Sequence, residues 1–265
     1  MNRDFIAKHW YADLYEQSVT ETHDVEFLLK VLDEHAQPNP RILEVACGGG
    51  RIAVPLARAG YDVTGIDADI HMLLRGYRKM AGLPNIRCHL ADATDADWGD
   101  GYDVVVLAGN ILINIESDMD YKAAQIRFIQ NAAAALRPGG HLYLDFDLHH
   151  DPGAVFHSLE NFTIFEGTDD LGTSGRIVGL GGAYDPVTQL FNGLKRWELA
   201  TNSGESIVFA QLWHKHIPTQ GQVYGWLKDA GLIIRRSYRN YTLDPLPEPV
   251  DESTHRAIIW AQKHK

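Results

Sequence analysis

One stretch of the chain decides the fold, RILEVACGGGRIAVPLARAGYDVTGID at residues 41–67. An apolar run at 42–46 stops at three consecutive glycines, and apolar residues spaced as on a helix follow it. Glycine accepts a positive φ and leaves no Cβ in the way of a ligand. A second apolar run at 61–66 ends in Asp67. The stretch therefore predicts a buried strand, a tight turn, a helix at 51–60 and a second strand, joined as a β-α-β unit.

An acidic residue closes the second strand of this unit. A carboxylate at that place can accept hydrogen bonds from both hydroxyls of a ribose lying across the glycine turn, so Asp67 indicates a nucleoside cofactor. The cofactor itself is not decided here, because Gly48-x-Gly50-x-x-Ala53 also fits the loose nicotinamide fingerprint. A glycine turn that binds no ligand is a third interpretation.

The residues around the turn resemble class I S-adenosylmethionine-dependent methyltransferases. The resemblance is carried by Glu44 in the first strand, Cys47 before the glycines and the segment DADIHML at 67–73. The LRPGG step at 136–140 is similar to that family and much less so to dehydrogenases. The resemblance implies an α/β fold with a doubly wound, Rossmann-like sheet that is mostly parallel and has an antiparallel last strand.

Composition and charge restrict the class of protein further. The chain has 265 residues and is 45% hydrophobic, enough for a full core. A net charge of −11 without a cluster of Lys or Arg argues against nucleic-acid partners. No apolar run is long enough to span a bilayer, so we expect no membrane insertion and a cytoplasmic location. Two cysteines and scattered histidine pairs predict neither a disulfide framework nor a metal site.

The rest of the chain continues the alternation of strands and helices and then departs from it. Between 156 and 218 the pattern changes to alternating β-branched and aromatic runs broken by glycine turns, which predicts an inserted antiparallel sheet. The predicted helices cover 4–17, 24–36, 51–60, 69–80, 119–136 and 222–230. The predicted strands cover 42–46, 61–66, 86–90, 102–108, 141–147, 162–166, 176–180, 189–199, 206–216, 232–241 and 256–262.

This organisation predicts three parts. Residues 1–37 form a helical lid, residues 38–155 and 219–265 form the cofactor-binding core, and residues 156–218 form the inserted sheet. Aminosugar N,N-dimethyltransferases and glycine/sarcosine N-methyltransferases carry a similar sheet at this point. There it covers the acceptor site or forms a subunit interface, so a homodimer is an open alternative.

The resemblance also implies which residues hold S-adenosylmethionine. Asp67 would bind the ribose, Asp92 the adenine amino group, and Tyr11 and Tyr15 of the lid the amino-acid end. The segment Gly109-Asn110 resembles the Gly-Asn-Ser segment of glycine and sarcosine N-methyltransferases, with Ile111 in place of the serine. The remaining predicted cofactor-binding residues are Glu44, Ala46, Gly48, Gly50, Ala68, Met72, Ala93, Ala108 and Asn110.

The candidate catalytic residues follow the fifth predicted strand. Asp145 and Asp147 alternate onto one face of that strand, and His149 follows in the loop. A carboxylate or an imidazole could orient an amine or accept its proton, so we predict Asp147, His149 and Asn110 as catalytic, with Asp145 also open to a structural role. Trp213 and His214 are weaker candidates for pocket walls.

The sequence thus predicts methyl transfer to a small-molecule acceptor, with an amine nitrogen favoured by the Gly109-Asn110 resemblance. An O-methyltransferase, a nicotinamide-dependent oxidoreductase and a non-catalytic cofactor-binding subunit are the alternatives. The sequence does not identify the acceptor.

Overall fold

The computed structural model describes residues 2–115, 117, 119–157 and 160–264. The helices are α1 (Arg3–Ser18), α2 (His23–His35), α3 (Ala53–Arg58), α4 (Ile70–Met80), α5 (Ile111–Asn114), α6 (Tyr121–Ala135), α7 (Pro152–Val155) and α8 (Gln220–Asp229). The strands are β1 (Arg41–Val45), β2 (Asp62–Asp67), β3 (Ile86–Leu90), β4 (Tyr102–Leu107), β5 (Leu136–Asp147), β6 (Phe162–Thr168), β7 (Ser174–Asp185), β8 (Leu190–Ala200), β9 (Ser206–His216), β10 (Leu232–Arg239) and β11 (Arg256–Lys263).

The chain divides into two compact units. The larger unit comprises Thr22–His150 and Pro218–Lys265, and the smaller one comprises Met1–Glu21 and Asp151–Ile217. The first division thus falls after Glu21, whereas the sequence predicted a helical lid at 1–37. Helix α2 belongs to the larger unit, because its apolar face packs into the same core cluster as strand residues such as Ile42 and Val63.

The larger unit is built on a seven-stranded sheet with the strand order β10-β11-β5-β4-β1-β2-β3. Strands β1 to β5 pair in parallel with one another, and β11 pairs antiparallel with both β5 and β10. Every residue of β4 is buried, as expected for a central parallel strand covered on both faces. The predicted fold class, a mostly parallel doubly wound sheet with an antiparallel last strand, is confirmed.

Strand β5 begins earlier than the sequence predicted. In its pairing with β4, Tyr102 is opposite Leu136, and the next pair is Val104 with His141. The register therefore shifts between these two pairs. Residues 137–140, predicted as a turn, therefore form a bulge within the strand, with Gly139 at φ +76°. Beyond the bulge, β5 covers the predicted strand at 141–147 and ends at Asp147.

The smaller unit packs α1 against a separate antiparallel sheet with the order β6-β7-β8-β9. Trp10 is fully buried in a cluster with Trp197 and Leu199, and its indole N–H donates to the carbonyl of Gly167 at 3.3 Å. A Cβ at Gly167 would lie 2.6 Å from Cδ1 of Leu14, so glycine lets the helix approach the strand closely. The aromatic load of α1 thus serves its packing on this sheet.

Across the described part of the chain, no helix is both long enough and apolar enough to cross a membrane.

Candidate functional site

The bend between β1 and α3 is shaped by three residues with positive φ. Ala46 lies at +59°, Gly48 at +53° and Gly50 at +76°. A Cβ at Gly48 would meet nothing within 4 Å, whereas one at Gly50 would lie 2.9 Å from Cγ2 of Val54. The bend is therefore open on the Gly48 side and packed tightly against the following helix on the Gly50 side.

Asp67 turns its carboxylate toward this bend. Its Oδ2 accepts the N–H of Gly48 at 2.7 Å and its Oδ1 accepts the N–H of Asp69 at 2.7 Å. Each carboxylate oxygen keeps a second lone pair for another donor. Burial raises the pKa of Asp67, although both backbone N–H groups oppose that shift. The acid and the glycine turn, which the sequence predicted to meet, are joined by a direct hydrogen bond.

Glu44 lies buried under the same bend. Among the described residues, its Oε2 is one of the buried polar atoms that make no hydrogen bond, while its carboxyl accepts the N–H of Ala53. Burial, and to a smaller extent the thiol of Cys88, holds the pKa of Glu44 well above its usual range. A buried carboxyl that lacks a partner for one oxygen suits a polar group or a water arriving from outside.

The other predicted cofactor residues of this edge follow β2 and β3. Asp92 is exposed, and its Oδ1 accepts the N–H and the hydroxyl of Thr94 at 2.9 and 2.7 Å. Ala93 is buried and its carbonyl accepts the indole N–H of Trp98 at 2.9 Å. Ala68 is exposed, and Met72 is buried on α4. These contacts fix the backbone around Asp92.

The ends of β4 and β5 carry a closed set of hydrogen bonds, which we call the edge ring, formed by Asn110, Asp145, Asp147, Tyr241 and Arg256. The fully buried Asp145 accepts the N–H groups of Gly109 at 3.1 Å and of Asn110 at 2.7 Å. Its Oδ2 also accepts the hydroxyl of Tyr241 at 3.1 Å, and Tyr241 accepts Nη1 of Arg256 at 2.5 Å. The ring therefore reaches from the turn after β4 to the last strand of the sheet.

Asp147 closes the ring. Its Oδ1 accepts Nε of Arg256 at 2.7 Å, and its Oδ2 accepts Nδ2 of Asn110 at 2.6 Å. The backbone N–H of Asp147 donates in turn to Oδ1 of Asn110 at 3.1 Å. Both ends of the Asn110 amide are thus occupied by Asp147. The geometry favours a role for both side chains in holding the turn, and their predicted catalytic roles stay predictions.

Sequence reasoning missed Tyr241 and Arg256. They lie about a hundred residues beyond Asp145 and Asp147, and no local motif connects them. The connection comes from the antiparallel register, in which Arg256 is directly opposite Asp147. The signal that could have indicated them is chemical, because two acids on one face of a buried strand require nearby cations or hydroxyls.

Four further residues that the sequence predicted for the site are partly buried, and their roles stay predictions. His149 is half-buried in the segment after β5. Tyr11 and Tyr15 are half-buried on α1 in the smaller unit, where the ring of Tyr11 lies 5.5 Å from that of Phe165 and 6.3 Å from that of Tyr15. Trp213, in the same unit, contacts Phe191 edge-on at 5.3 Å. Within the described ranges, no three His, Cys, Asp or Glu side chains are grouped as ligands for a metal.

A protein-family model described as "Methyltransferase domain" matches residues 42–140, from β1 through the bulge of β5. The class I methyltransferase resemblance predicted from the sequence is confirmed for this domain.

Similar proteins fall in the same class. The chain is 30% identical to glycine N-methyltransferase of Rattus norvegicus over 45% of its length and 43% of that protein. It is 36% identical to the ubiquinone biosynthesis O-methyltransferase of Roseobacter denitrificans over 40% of its length and 42% of that protein. The matches thus span less than half the length of these two curated relatives.

Solved structures extend the likeness in fold to nearly the whole chain. An S-adenosylmethionine-dependent methyltransferase from Clostridium acetobutylicum aligns with a TM-score of 0.71 and 16% identity over 100% of both chains. A sugar N-methyltransferase from a Streptoalloteichus species aligns with a TM-score of 0.67 and 18% identity over 95% of this chain and 91% of that one. At such identities the likeness concerns the fold alone.

Proposed function

We propose that this chain transfers a methyl group from S-adenosylmethionine to a small molecule, with an amine nitrogen as the acceptor atom. The observation that carries the proposal is the hydrogen bond from Gly48 to Asp67. It holds a carboxylate inside a bend whose Gly48 side is open to a ligand. An adenosine fits this arrangement, because its ribose can present two hydroxyls to the carboxylate while the nucleoside lies against the glycine backbone.

The residues of the edge fit the parts of this cofactor. Asp67 would accept the ribose hydroxyls and Asp92 the adenine amino group. The backbone of Ala108 and Asn110 would face the methionine end, and Glu44 has an unpaired buried oxygen for a polar group from the same side. Ala46, Gly50, Ala68, Met72 and Ala93 would form the walls.

Charge at this edge suits a cationic cofactor and a basic acceptor. Asp67, Asp145 and Asp147 lie at the ends of β2 and β5, and the guanidinium of Arg256 pairs with Asp147. When bound, S-adenosylmethionine supplies a methyl carried on a sulfonium, so that transfer is an in-line displacement with little covalent work for the protein. The contribution of this chain is alignment and exclusion of water, effects worth several kcal/mol when the geometry is right.

An amine attacks only as the free base, so one proton must leave the nitrogen. His149 is the better acceptor for this proton, because the carboxylate of Asp147 already binds Arg256 and Asn110. Nitrogen is preferred to oxygen because of the acidic edge and the glycine N-methyltransferase among the similar proteins. The similar O-methyltransferase keeps a hydroxylated acceptor as the second candidate.

Calorimetric titration with S-adenosylhomocysteine tests the cofactor. We expect binding by the full chain, and no binding at millimolar ligand would remove the proposal. Asp67→Ala should weaken binding by about 1–3 kcal/mol, because a charge-assisted hydrogen-bond acceptor is lost. The matched control is Asp62→Ala, at the opposite end of the same strand and 3.4 Å from Arg87, which should leave the dissociation constant unchanged.

A screen of amine and phenol acceptors, read as homocysteine released by a coupled hydrolase, tests the reaction. Turnover with amines supports the proposal, and turnover with phenols alone would replace nitrogen by oxygen. Cofactor binding without turnover for any acceptor would favour a non-catalytic subunit.

A further inference from the structure

Tyr241 and Arg256 have no assigned role, yet they close the edge ring from the far end of the chain. We propose that they are positioning residues that fix the turn at 108–110, so that its carbonyl oxygens face a bound ammonium group. The inference rests on the proposed function, because the methionine end of S-adenosylmethionine supplies such a group.

The direction of the turn follows from the two hydrogen bonds to Asp145. The N–H groups of Gly109 and Asn110 both donate to this carboxylate. Their peptide bonds are trans, and a trans peptide holds its C=O opposite its N–H. The carbonyl oxygens of Ala108 and Gly109 therefore point away from Asp145. Carbonyl oxygens are suitable acceptors for an ammonium cation.

Asp145 accepts these two N–H groups and the Tyr241 hydroxyl most strongly when it is ionised, because both carboxylate oxygens are then full acceptors. Burial opposes ionisation and raises the pKa of this carboxyl. Arg256 provides the compensating charge, and the Tyr241 hydroxyl donates directly to Oδ2. Because the planar guanidinium of Arg256 binds both Tyr241 and Asp147, it fixes the positions of these two side chains relative to each other.

Strained backbone occurs at two residues of the edge ring and at Asn240, which precedes one of them. Asn110 has φ +58°, Asn240 +50° and Tyr241 +57°. The left-handed region is unfavourable for an L-residue, and a bulky tyrosine rarely occupies it. Oδ1 of Asn240 accepts the N–H groups of His255 and Arg256 at 2.9 and 3.1 Å, which holds this strained pair against β11. Such strain persists where the surrounding contacts fix one geometry, as expected for a binding turn.

The test compares Tyr241→Phe with Tyr238→Phe in the full chain. Tyr241→Phe removes the hydroxyl that binds Asp145 but keeps the ring, which packs edge-on against Phe27 and His23. Tyr238 also packs on Phe27, and its hydroxyl bonds to His35 at 2.6 Å, outside the ring. Both variants thus lose a part-buried hydroxyl beside the same helix, which makes two hydrogen bonds in Tyr241 and one in Tyr238.

Two measurements are made on each variant. The first is the amide hydrogen exchange of Gly109 and Asn110 in the protein without ligand, and the second is the dissociation constant for S-adenosylhomocysteine. For Tyr241→Phe we expect exchange at both amides to accelerate, and the dissociation constant to rise, by about threefold to tenfold, the range for one hydrogen bond. Tyr238→Phe should change neither quantity beyond about twofold, because its bond does not orient the turn.

Unchanged exchange and affinity in Tyr241→Phe would overturn the inference, as would an equal change in Tyr238→Phe. If the parent chain fails to bind S-adenosylhomocysteine, the proposed function fails, while the exchange measurement still tests whether the ring holds the turn. Arg256→Lys is the second variant. It keeps the charge but cannot span Tyr241 and Asp147 as the guanidinium does, so exchange at Gly109 and Asn110 should again accelerate. Exchange as slow as in the parent would contradict the role of Arg256.

Discussion

Ala46 carries a left-handed backbone at the start of the glycine bend, with φ at +59°. An L-residue in this region is strained, and glycine is not. Ala46→Gly should therefore raise the free energy of unfolding by about 0.5–1 kcal/mol, measured by urea denaturation.

A helical alanine provides the control for that change. Ala134 is exposed near the end of α6. Ala134→Gly should lower the free energy of unfolding by up to about 1 kcal/mol, because glycine loses more backbone entropy in a helix. A destabilising effect of Ala46→Gly would show that Ala46 is not strained.

Strand β2 contains a glycine, Gly65, where it passes between the side chains of Cys47 and Cys88. A Cβ at Gly65 would lie 2.7 Å from Sγ of Cys47 and 2.7 Å from Sγ of Cys88, and the two sulfurs are 3.8 Å apart. Gly65→Ala should lower the free energy of unfolding by about 1–3 kcal/mol through overpacking. In a double-mutant cycle with Cys88→Ala, the combined loss should be smaller than the sum of the two single losses. Simple additivity would mean that the added methyl does not press on Cys88.

The elements themselves were largely predictable from the sequence. Continuous apolar runs gave the parallel strands, and Asp69, which accepts the N–H of His71, marked the start of α4 as predicted. The bulge of β5 was missed because its four residues read as a turn, and only pairing with β4 extends the strand to Leu136. Local spacing does not contain that information.

The same limit applies to the candidate site. The approach of Asp67 to the glycine turn follows from one local β-α-β unit, so a short stretch predicts that the two lie close together. The edge ring depends on the register of β11 against β5, and this register is a property of the assembled sheet. Asp147 therefore looked like a candidate base from its position alone, whereas the structure gives it Arg256 and Asn110 as partners.

For the molecule as a whole, buried carboxyls determine how stability depends on pH. The pKa of Glu44 is raised by burial, so the folded protein binds this proton more tightly than the unfolded chain does. The contribution of Glu44 is therefore most favourable below its ordinary pKa of 4.5 and is lost as the pH rises above it. Glu44→Gln should stabilise the chain relative to the parent more at pH 8 than at pH 5, measured as urea midpoints.

Asp185 gives a control of opposite sign. Its pKa is lowered by the hydroxyl of Thr188 and the N–H of Val187, so its stabilising contribution is present above its ordinary pKa and is lost as the pH falls. Asp185→Asn should therefore be more unfavourable near neutral pH than in acid. Equal pH dependence of Glu44→Gln and the parent would show that Glu44 is not held in its protonated form by the fold.

The net charge of −11 should attract a cationic acceptor to the protein. If the acceptor is an amine that is cationic in solution, the field of an acidic protein raises its encounter rate, and salt screens this field. For an amine, kcat/KM should therefore fall as NaCl is raised from about 10 to about 300 mM, over which the Debye length shortens from about 30 Å to below 10 Å.

A neutral phenol turned over by the same preparation should show no such fall. The comparison is made in the homocysteine-release assay at fixed, saturating cofactor, so that only the acceptor's encounter varies. A salt effect of equal size on both acceptors would assign it to the protein or the cofactor, and electrostatic attraction of the amine would then be rejected.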